Sequence, residues 1–172
     1  ASASLLQGFN VLYITLEMAE EKIAERVDAN LLDIPIQTLS DPLFTKDKYQ
    51  RKVDSLSKKT QGKLVIKEYP TASAHVGHFK ALLNELSLKK GFKPHIIFVD
   101  YLNICASSRY KGTIVNSYTY VKAIAEELRG LAGEFNVPIV SATQTTRSGY
   151  GNSDVELTDT SESFGLPATA DL

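Results

Sequence analysis

Three apolar runs of this sequence each end in a polar side chain, and the three side chains differ in chemistry: Glu17, Asp100 and Gln144. Taken singly, an acid after an apolar strand often only caps the next helix or begins a turn. Taken together, they offer a carboxylate to polarise a water, a carboxylate to hold Mg²⁺ through its hydration shell, and an amide to sense a phosphate. That combination is typical of nucleoside triphosphate hydrolysis.

Short basic and aromatic segments follow the second and third of these side chains. Such residues suit a phosphate backbone and stacked bases, as in the binding of single-stranded nucleic acid. Short basic loops are just as commonly solvated surface, and the residues alone leave both interpretations open. The candidates are Arg109, Tyr110, Lys111, Arg147 and Tyr150.

Other catalytic or metal-binding motifs are not supported by the sequence. The phosphate-binding motif G-x-x-x-x-G-K-[ST] is absent, because the one Gly-Lys pair, Gly62-Lys63, precedes a leucine and lacks the upstream glycine. His75 and His78 have no nearby acid or cysteine pattern to complete a metal shell, so a surface pair is favoured. The single Cys105 excludes an internal disulfide and a thiolate-rich zinc site.

Length and composition bound the fold and its partners. The 172 residues match one domain of ~150 residues with a sizeable core. Nineteen Lys and Arg against twenty Asp and Glu give a net charge of −1, so any binding of nucleic acid must be local. Apolar residues make up 43% and charged residues 23%, as in ordinary globular proteins. No signal peptide or long apolar run is present, and the lone cysteine suits a reducing cytoplasm.

The elements that must position these side chains alternate between strands and amphipathic helices. This alternation implies right-handed crossovers and a mostly parallel sheet between helical layers, in one α/β domain. Because ligands bind beyond the carboxyl ends of parallel strands, the three polar side chains should meet at that edge. The predicted strands are Val11–Leu16, Lys63–Tyr69, His95–Val99 and Val137–Thr143, and the predicted helices cover Ala19–Leu32, Asp47–Lys59, His75–Lys90 and Val121–Phe135.

The last helix and the chain ends carry further expectations. Glu126 and Glu127 are expected on the polar face of that helix, opposite its apolar stripe. Residues 1–7 read as the end of a helix closed by Gly8, since glycine accepts positive φ without strain. The final PATADL stops after a helical-looking stretch with no turn or tail. We therefore expect a fragment of a longer protein.

Several strings, in this order, resemble motifs of the RecA-like ATPase domain of hexameric replicative DNA helicases of the DnaB type. They are ITLEM (Ile14–Met18), IIFVDYL (Ile96–Leu102) and ATQTTR (Ala142–Arg147). The stretches NSYTYVKAIAEEL (Asn116–Leu128) and SESFGLPATAD (Ser161–Asp171) resemble the replicative helicases of large tailed bacteriophages. The resemblance spans nearly the whole chain, and motif order, spacing and predicted context agree.

The resemblance implies ATP hydrolysis with Mg²⁺, coupled to movement of a homo-hexamer on single-stranded DNA and to duplex unwinding in the cytoplasm of a bacterial host. Glu17 matches the catalytic glutamate that activates the attacking water, and Asp100 matches the Walker B aspartate that binds Mg²⁺. Gln144 matches the glutamine that contacts the γ-phosphate region and signals to the DNA-binding loop, so it is expected in catalysis and cofactor binding. A primase and a helicase loader are implied partners. The expected DNA contacts are Arg109, Lys111 and Arg147.

Two elements of the family are missing from this sequence. The family's phosphate-binding loop lies just before the helix whose end falls at Ser2–Gln7, and its arginine finger lies beyond Leu172. We expect residues 1–172 to be a single partial RecA-like motor domain of three layers, truncated at both ends and unable to bind or hydrolyse ATP alone. Two alternatives stay open: another RecA-like ATPase such as a recombinase, and a non-catalytic α/β binding or assembly module.

Overall fold

A parallel sheet organises the chain. The computed structural model describes residues 1–41, 43–58, 60–110, 115–144 and 169–171. Within these residues the strands are β1 (Val11–Thr15), β2 (Leu64–Glu68), β3 (Ile96–Asp100) and β4 (Ile139–Ser141). Their order is β2-β1-β3-β4, and every neighbouring pair is parallel. The predicted α/β architecture is confirmed.

Helices alternate with the strands because each return to the same edge of a parallel sheet needs a crossover. The predicted elements are confirmed with ends that agree within two residues, except that the last helix begins earlier, at Ser117. There Asn116 Oδ1 accepts a hydrogen bond of 2.8 Å from the backbone N–H of Thr119. Within the described ranges, none of the helices is long and apolar enough to span a bilayer. The helices are α1 (Ser2–Leu6), α2 (Glu20–Leu31), α3 (Lys46–Ser57), α4 (Val76–Lys90) and α5 (Ser117–Phe135), with 3₁₀ turns at Ile36–Ser40 and Leu102–Ile104.

Alternate residues of β1 divide the core into two layers. Val11 packs on one face of the sheet against α1 and α2. Leu12 and Ile14 point to the other face and pack with side chains of α4 and α5. Full burial of each such side chain contributes about 1.5–3 kcal/mol relative to exposure. The sheet is therefore the middle of three layers, as expected for a RecA-like domain.

Two helix ends account for Gly8 and for the pair His75 and His78. Gly8 has a φ of +86° just after α1, as its predicted role as a helix stop requires. His75 and His78 form a reciprocal cap at the start of α4: His75 Nδ1 accepts from the N–H of Gly77, and His78 Nδ1 accepts from the N–H of His75. In the part of the chain that the structure describes, no group of three or more His, Cys, Asp or Glu could hold a metal.

The predicted polar face of α5 is wrong for one residue. Glu127 is buried, with 7% of its surface exposed, because hydroxyl and backbone donors of the segment before α5 bind its carboxylate. Glu126, its neighbour, keeps the expected partly exposed position. A glutamate with enough donors around it can therefore lie on the inner side of an amphipathic helix.

Candidate functional site

The carboxyl ends of β1, β3 and β4 meet at one edge of the sheet. Thr15, the last residue of β1, pairs in register with Asp100, the last residue of β3. Glu17 lies two positions beyond Thr15, and Gln144 lies three positions beyond the end of β4. The predicted meeting of the three positions at this edge is confirmed, while their roles in chemistry stay a prediction.

A buried threonine builds the turn that carries Glu17. Thr15 is fully buried, and its hydroxyl accepts a hydrogen bond from the N–H of Met18 at 3.0 Å and donates one to the Met18 carbonyl at 2.8 Å. The hydroxyl of Thr71 donates to the carbonyl of Leu16 at 2.6 Å. These bonds fix both sides of Glu17, whose own side chain is exposed. The turn thus presents a solvated carboxylate on a defined backbone.

Asp100 is half-buried and is oriented from the neighbouring strand. The hydroxyl of Tyr13 donates a hydrogen bond of 2.8 Å to Asp100 Oδ2. Tyr13 stacks on Phe98, its register partner, with ring centroids 6.0 Å apart. Burial, and then the hydrogen bond to Asp100, raises the pKa of Tyr13, so the phenol stays a neutral donor at physiological pH. The carboxylate of Asp100 therefore has one oxygen fixed by the protein.

Gln144 is exposed and is tied back to the residues that follow β3. Its Nε2 atom donates a hydrogen bond of 2.9 Å to the hydroxyl of Tyr101, which follows Asp100 through a cis peptide bond. One residue earlier, the hydroxyl of Thr143 donates to Asn103 Oδ1 at 2.9 Å. The loops after β3 and β4 are thus joined side chain to side chain, in the segment that begins one residue after Asp100.

The candidate DNA-binding residues are described only in part. Arg109 is exposed, and its Nη1 atom forms an ion pair of 2.5 Å with Glu126 on α5. Lys111 and Arg147 lie outside the described residues, as does Tyr150. A phosphate that binds Arg109 would have to compete with Glu126 at a solvent-exposed position, where ion pairs contribute little free energy.

The sequence predictions missed three residues with structural roles near the candidate site residues. Tyr13 and Thr15 orient the carboxyl edge of the sheet, and Glu127 binds the segment that contains Arg109. Tyr13 and Thr15 belong to an apolar run, where their hydroxyls carry no periodic signal. Glu127 lies three positions after Ile124 and four before Leu131, both buried, so helical spacing alone could have assigned it to the inner side. Only its carboxylate argued for the polar face.

The residues at this edge fit part of a magnesium–nucleotide site. The carboxylate of Asp100 is the hard oxygen ligand that Mg²⁺ and its bound waters prefer, and the Tyr13 hydroxyl already orients it. The exposed carboxylate of Glu17 and amide of Gln144 suit a water and a phosphate oxygen. The sequence contains no glycine-rich Gly-Lys-Ser/Thr motif, so the cradle for the β- and γ-phosphates is not among these 172 residues.

Solved structures share this fold. The chain matches a solved ATPase domain with a TM-score of 0.78 and 20% identity, over 99% of this chain and 60% of that one. It matches a DnaB-like replicative helicase, described with its primase interactions, with a TM-score of 0.77 and 20% identity, over 99% of this chain and 41% of that one. The three-layer fold is thus that of the RecA-like domain in DnaB-type helicases.

The chain is also similar in sequence to replicative helicases. The DnaB-like replicative helicase of Enterobacteria phage T4 is 49% identical over 99% of this chain and 36% of its own length. The replicative DNA helicase DnaB of Helicobacter pylori strain 26695 is 25% identical over 94% of this chain and 32% of its own length. The chain therefore spans about a third of these relatives. The model of the DnaB-like helicase C-terminal domain matches residues 1–172. This chain belongs to the DnaB-like helicase C-terminal domain family.

Proposed function

We propose that residues 1–172 form a single, partial motor domain of an ATP-dependent replicative DNA helicase. One observation carries this proposal: in a chain of this family, Glu17, Asp100 and Gln144 reach the same carboxyl edge of a parallel sheet. Hydrolysis of a nucleoside triphosphate needs a group that activates water, a ligand for Mg²⁺ and a sensor of the γ-phosphate near one another. The three side chains supply these groups.

ATP and Mg²⁺ are the cofactors of this proposal. When bound, Mg²⁺ neutralises charge on the β- and γ-phosphates. Asp100 would hold the ion, with its carboxylate oriented by the hydroxyl of Tyr13. Glu17 aligns the attacking water and accepts its proton at an exposed carboxylate. Gln144, oriented by the hydroxyl of Tyr101, donates to the γ-phosphate region and couples it to the loop beyond β4.

The complete helicase supplies the rest of the nucleotide site. Because the G-x-x-x-x-G-K-[ST] motif is absent from this sequence, the β- and γ-phosphates are held by backbone N–H groups and a lysine outside it. Residues 1–172 alone therefore have no measurable ATPase activity. In a longer protein that contains such a loop, this edge of the sheet completes the site.

The proposed nucleic-acid partner is single-stranded DNA, and the proposed assembly is a homo-hexamer. Arg109, Lys111 and Arg147 contact backbone phosphates, which gives affinity without base specificity. With a net charge of −1, one chain carries no net positive charge, so several subunits around one strand must each contribute a few local contacts. One helicase of similar structure is described with its primase interactions, which makes a primase the first partner to test and a loader the second. The proposed compartment is the cytoplasm of a bacterial host.

Unwinding of a forked DNA duplex by the complete helicase, with ATP and Mg²⁺, tests this function. Asp100→Asn should reduce unwinding by at least about a hundredfold, because it removes the charge of the Mg²⁺ ligand. Asp33→Asn is the matched control: Asp33 is exposed after α2 at a φ of 51°, which asparagine also accepts. The proposal is wrong if Asp100→Asn unwinds as fast as Asp33→Asn.

A further inference from the structure

The carboxylate of Glu127 on α5 holds three consecutive residues that precede the helix. Its Oε1 atom accepts hydrogen bonds from the Ser107 hydroxyl at 2.7 Å and from the backbone N–H of Arg109 at 3.3 Å. Its Oε2 atom accepts from the backbone N–H and the hydroxyl of Ser108, at 2.9 and 2.8 Å. The hydroxyl of Tyr120 accepts from the N–H of Ser107 at 3.0 Å. One side of α5 thus fixes the backbone of this segment.

The same hydrogen bonds keep the buried carboxylate ionised. Burial by itself raises the pKa of Glu127, but the hydrogen bonds from Ser107, Ser108 and Arg109 outweigh it and hold that pKa below its usual value. An ionised carboxylate can accept from all of these donors, whereas an amide presents one oxygen and two N–H donors. Burying a charge costs free energy unless donors compensate it, so this arrangement favours one geometry of the segment.

The preceding residue, Glu126, contacts the same segment in a different way. Its Oε2 atom pairs with the guanidinium of Arg109 at 2.5 Å, and both side chains are partly exposed. A solvent-exposed ion pair is weak and exchangeable, so a DNA phosphate can replace Glu126 at Arg109. It cannot replace Glu127, which is buried and binds backbone donors. Glu127 therefore holds the backbone of Arg109, while Glu126 pairs only with its guanidinium group.

We propose that Glu127 is a positioning residue for single-stranded DNA binding. It holds the backbone of Ser107–Arg109 against α5 by hydrogen bonds, so that Arg109 presents its guanidinium to a backbone phosphate of the DNA. This inference rests on the proposed function, because the DNA contact of Arg109 belongs to it. Preorganised donors bind more tightly because less conformational freedom is lost on binding. When DNA is absent, the guanidinium of Arg109 forms its ion pair with Glu126.

The test compares Glu127→Gln with Glu126→Gln in the complete helicase, with fluorescent oligo-dT as the probe. Both substitutions remove one negative charge from the same turn of α5, so simple electrostatics predicts tighter DNA binding for both. The positioning role instead predicts weaker DNA binding for Glu127→Gln and not for Glu126→Gln. The Kd of Glu127→Gln should rise about tenfold, the loss of one charge-assisted contact. The Kd of Glu126→Gln should fall or stay within about twofold. Equal or tighter binding by Glu127→Gln overturns the proposal.

Amide hydrogen exchange reports the positioning itself. In Glu127→Gln, the N–H groups of Ser108 and Arg109 should exchange at least about tenfold faster, while those of β1 keep their protection and report an intact fold. If Glu127→Gln does not fold, Ser107→Ala serves instead, because it removes a donor to Glu127 and the acceptor at 3.1 Å from the N–H of Arg109. Unchanged exchange at Ser108 and Arg109 in the folded variant overturns the proposal.

Arg109→Ala separates this inference from the proposed function on which it rests. If Arg109 contacts a phosphate, Arg109→Ala flattens the dependence of log K on log salt by roughly 0.7 for each lost contact. An unchanged isotherm and salt slope in Arg109→Ala would overturn the DNA contact and the positioning role with it. Weaker binding by Arg109→Ala with wild-type binding by Glu127→Gln would overturn the positioning role alone.

Discussion

The hydroxyl of Tyr13 donates a hydrogen bond of 2.8 Å to Asp100 Oδ2, from β1 to the end of β3. The two residues are 87 positions apart in sequence, and the parallel register of the strands brings them together. Tyr13 also stacks on Phe98, which fixes the ring. The carboxylate proposed to hold Mg²⁺ is therefore oriented by a neutral donor on a rigid, half-buried aromatic side chain.

Tyr13→Phe removes this hydrogen bond and keeps the ring. Because a hydrogen bond to a charged group contributes about 1.5–3 kcal/mol, the free energy of unfolding of this chain should fall by about that amount. The measurement is urea denaturation at pH 7. The control is Tyr118→Phe on the exposed side of α5, which should change the free energy of unfolding by less than about 0.5 kcal/mol. Equal effects of the two substitutions would contradict an orienting role for Tyr13.

Thr15 positions Glu17 through the turn that its hydroxyl closes at Met18. Thr15→Val keeps the size of the side chain and removes the hydroxyl that closes the turn at Met18. Glu17 then loses its fixed position, and turnover of ATP by the complete helicase should fall between about ten- and a hundredfold with little change in the KM for ATP. Thr15→Ser restores the hydroxyl and should recover most of the activity. If the serine variant is as slow as the valine variant, the turn does not act through this hydroxyl.

The fold follows closely from the sequence because periodicity reports burial. The alternation of apolar runs and amphipathic stretches predicts each strand and helix, and parallel crossovers alone place Glu17, Asp100 and Gln144 at one edge. The early start of α5 depends on a cap, Asn116, that carries no apolar signal. Local chemistry rather than periodicity decides such ends.

The contacts that orient the site could not be predicted in the same way. Helical spacing allows Glu127 on the inner side of α5, but its carboxylate favours the polar face, and its burial depends on donors 18 to 20 positions away in a segment without periodicity. The bond from Tyr13 to Asp100 depends on strand register, which pattern reading leaves undetermined. Side-chain pairs of this kind are set by tertiary structure, which fixes the partners of a buried polar group.

The contribution of Glu127 to stability should depend on pH in a defined direction. Its pKa in the folded chain lies below the usual value of 4.5, so its stabilising effect is fully present above that value and is lost as the pH falls through the folded-state pKa. At pH 7, Glu127→Gln should lower the free energy of unfolding by about 1–3 kcal/mol. The difference from the wild-type chain should shrink steadily below pH 4.5.

Urea denaturation of both chains from about pH 7 to about pH 3.5, a range that crosses an ordinary carboxyl pKa, measures this. Glu126→Gln is the matched control, because its exposed ion pair with Arg109 should contribute less than about 1 kcal/mol at pH 7. A difference for Glu127→Gln that stays constant down to the lowest pH would show that the carboxylate charge does not hold the segment.

Single-turnover hydrolysis of ATP by the complete helicase tests the central claim, the role of Glu17, most directly. Glu17→Gln should bind ATP within about twofold of wild type yet hydrolyse it at least about a hundredfold more slowly, because general-base catalysis acts in the transition state. Glu20→Gln is the control at the same edge: the oxygen that accepts from the N–H of Glu68 at 2.9 Å survives as an amide oxygen, so hydrolysis should continue at the wild-type rate. Wild-type hydrolysis by Glu17→Gln would contradict the assignment of the catalytic carboxylate.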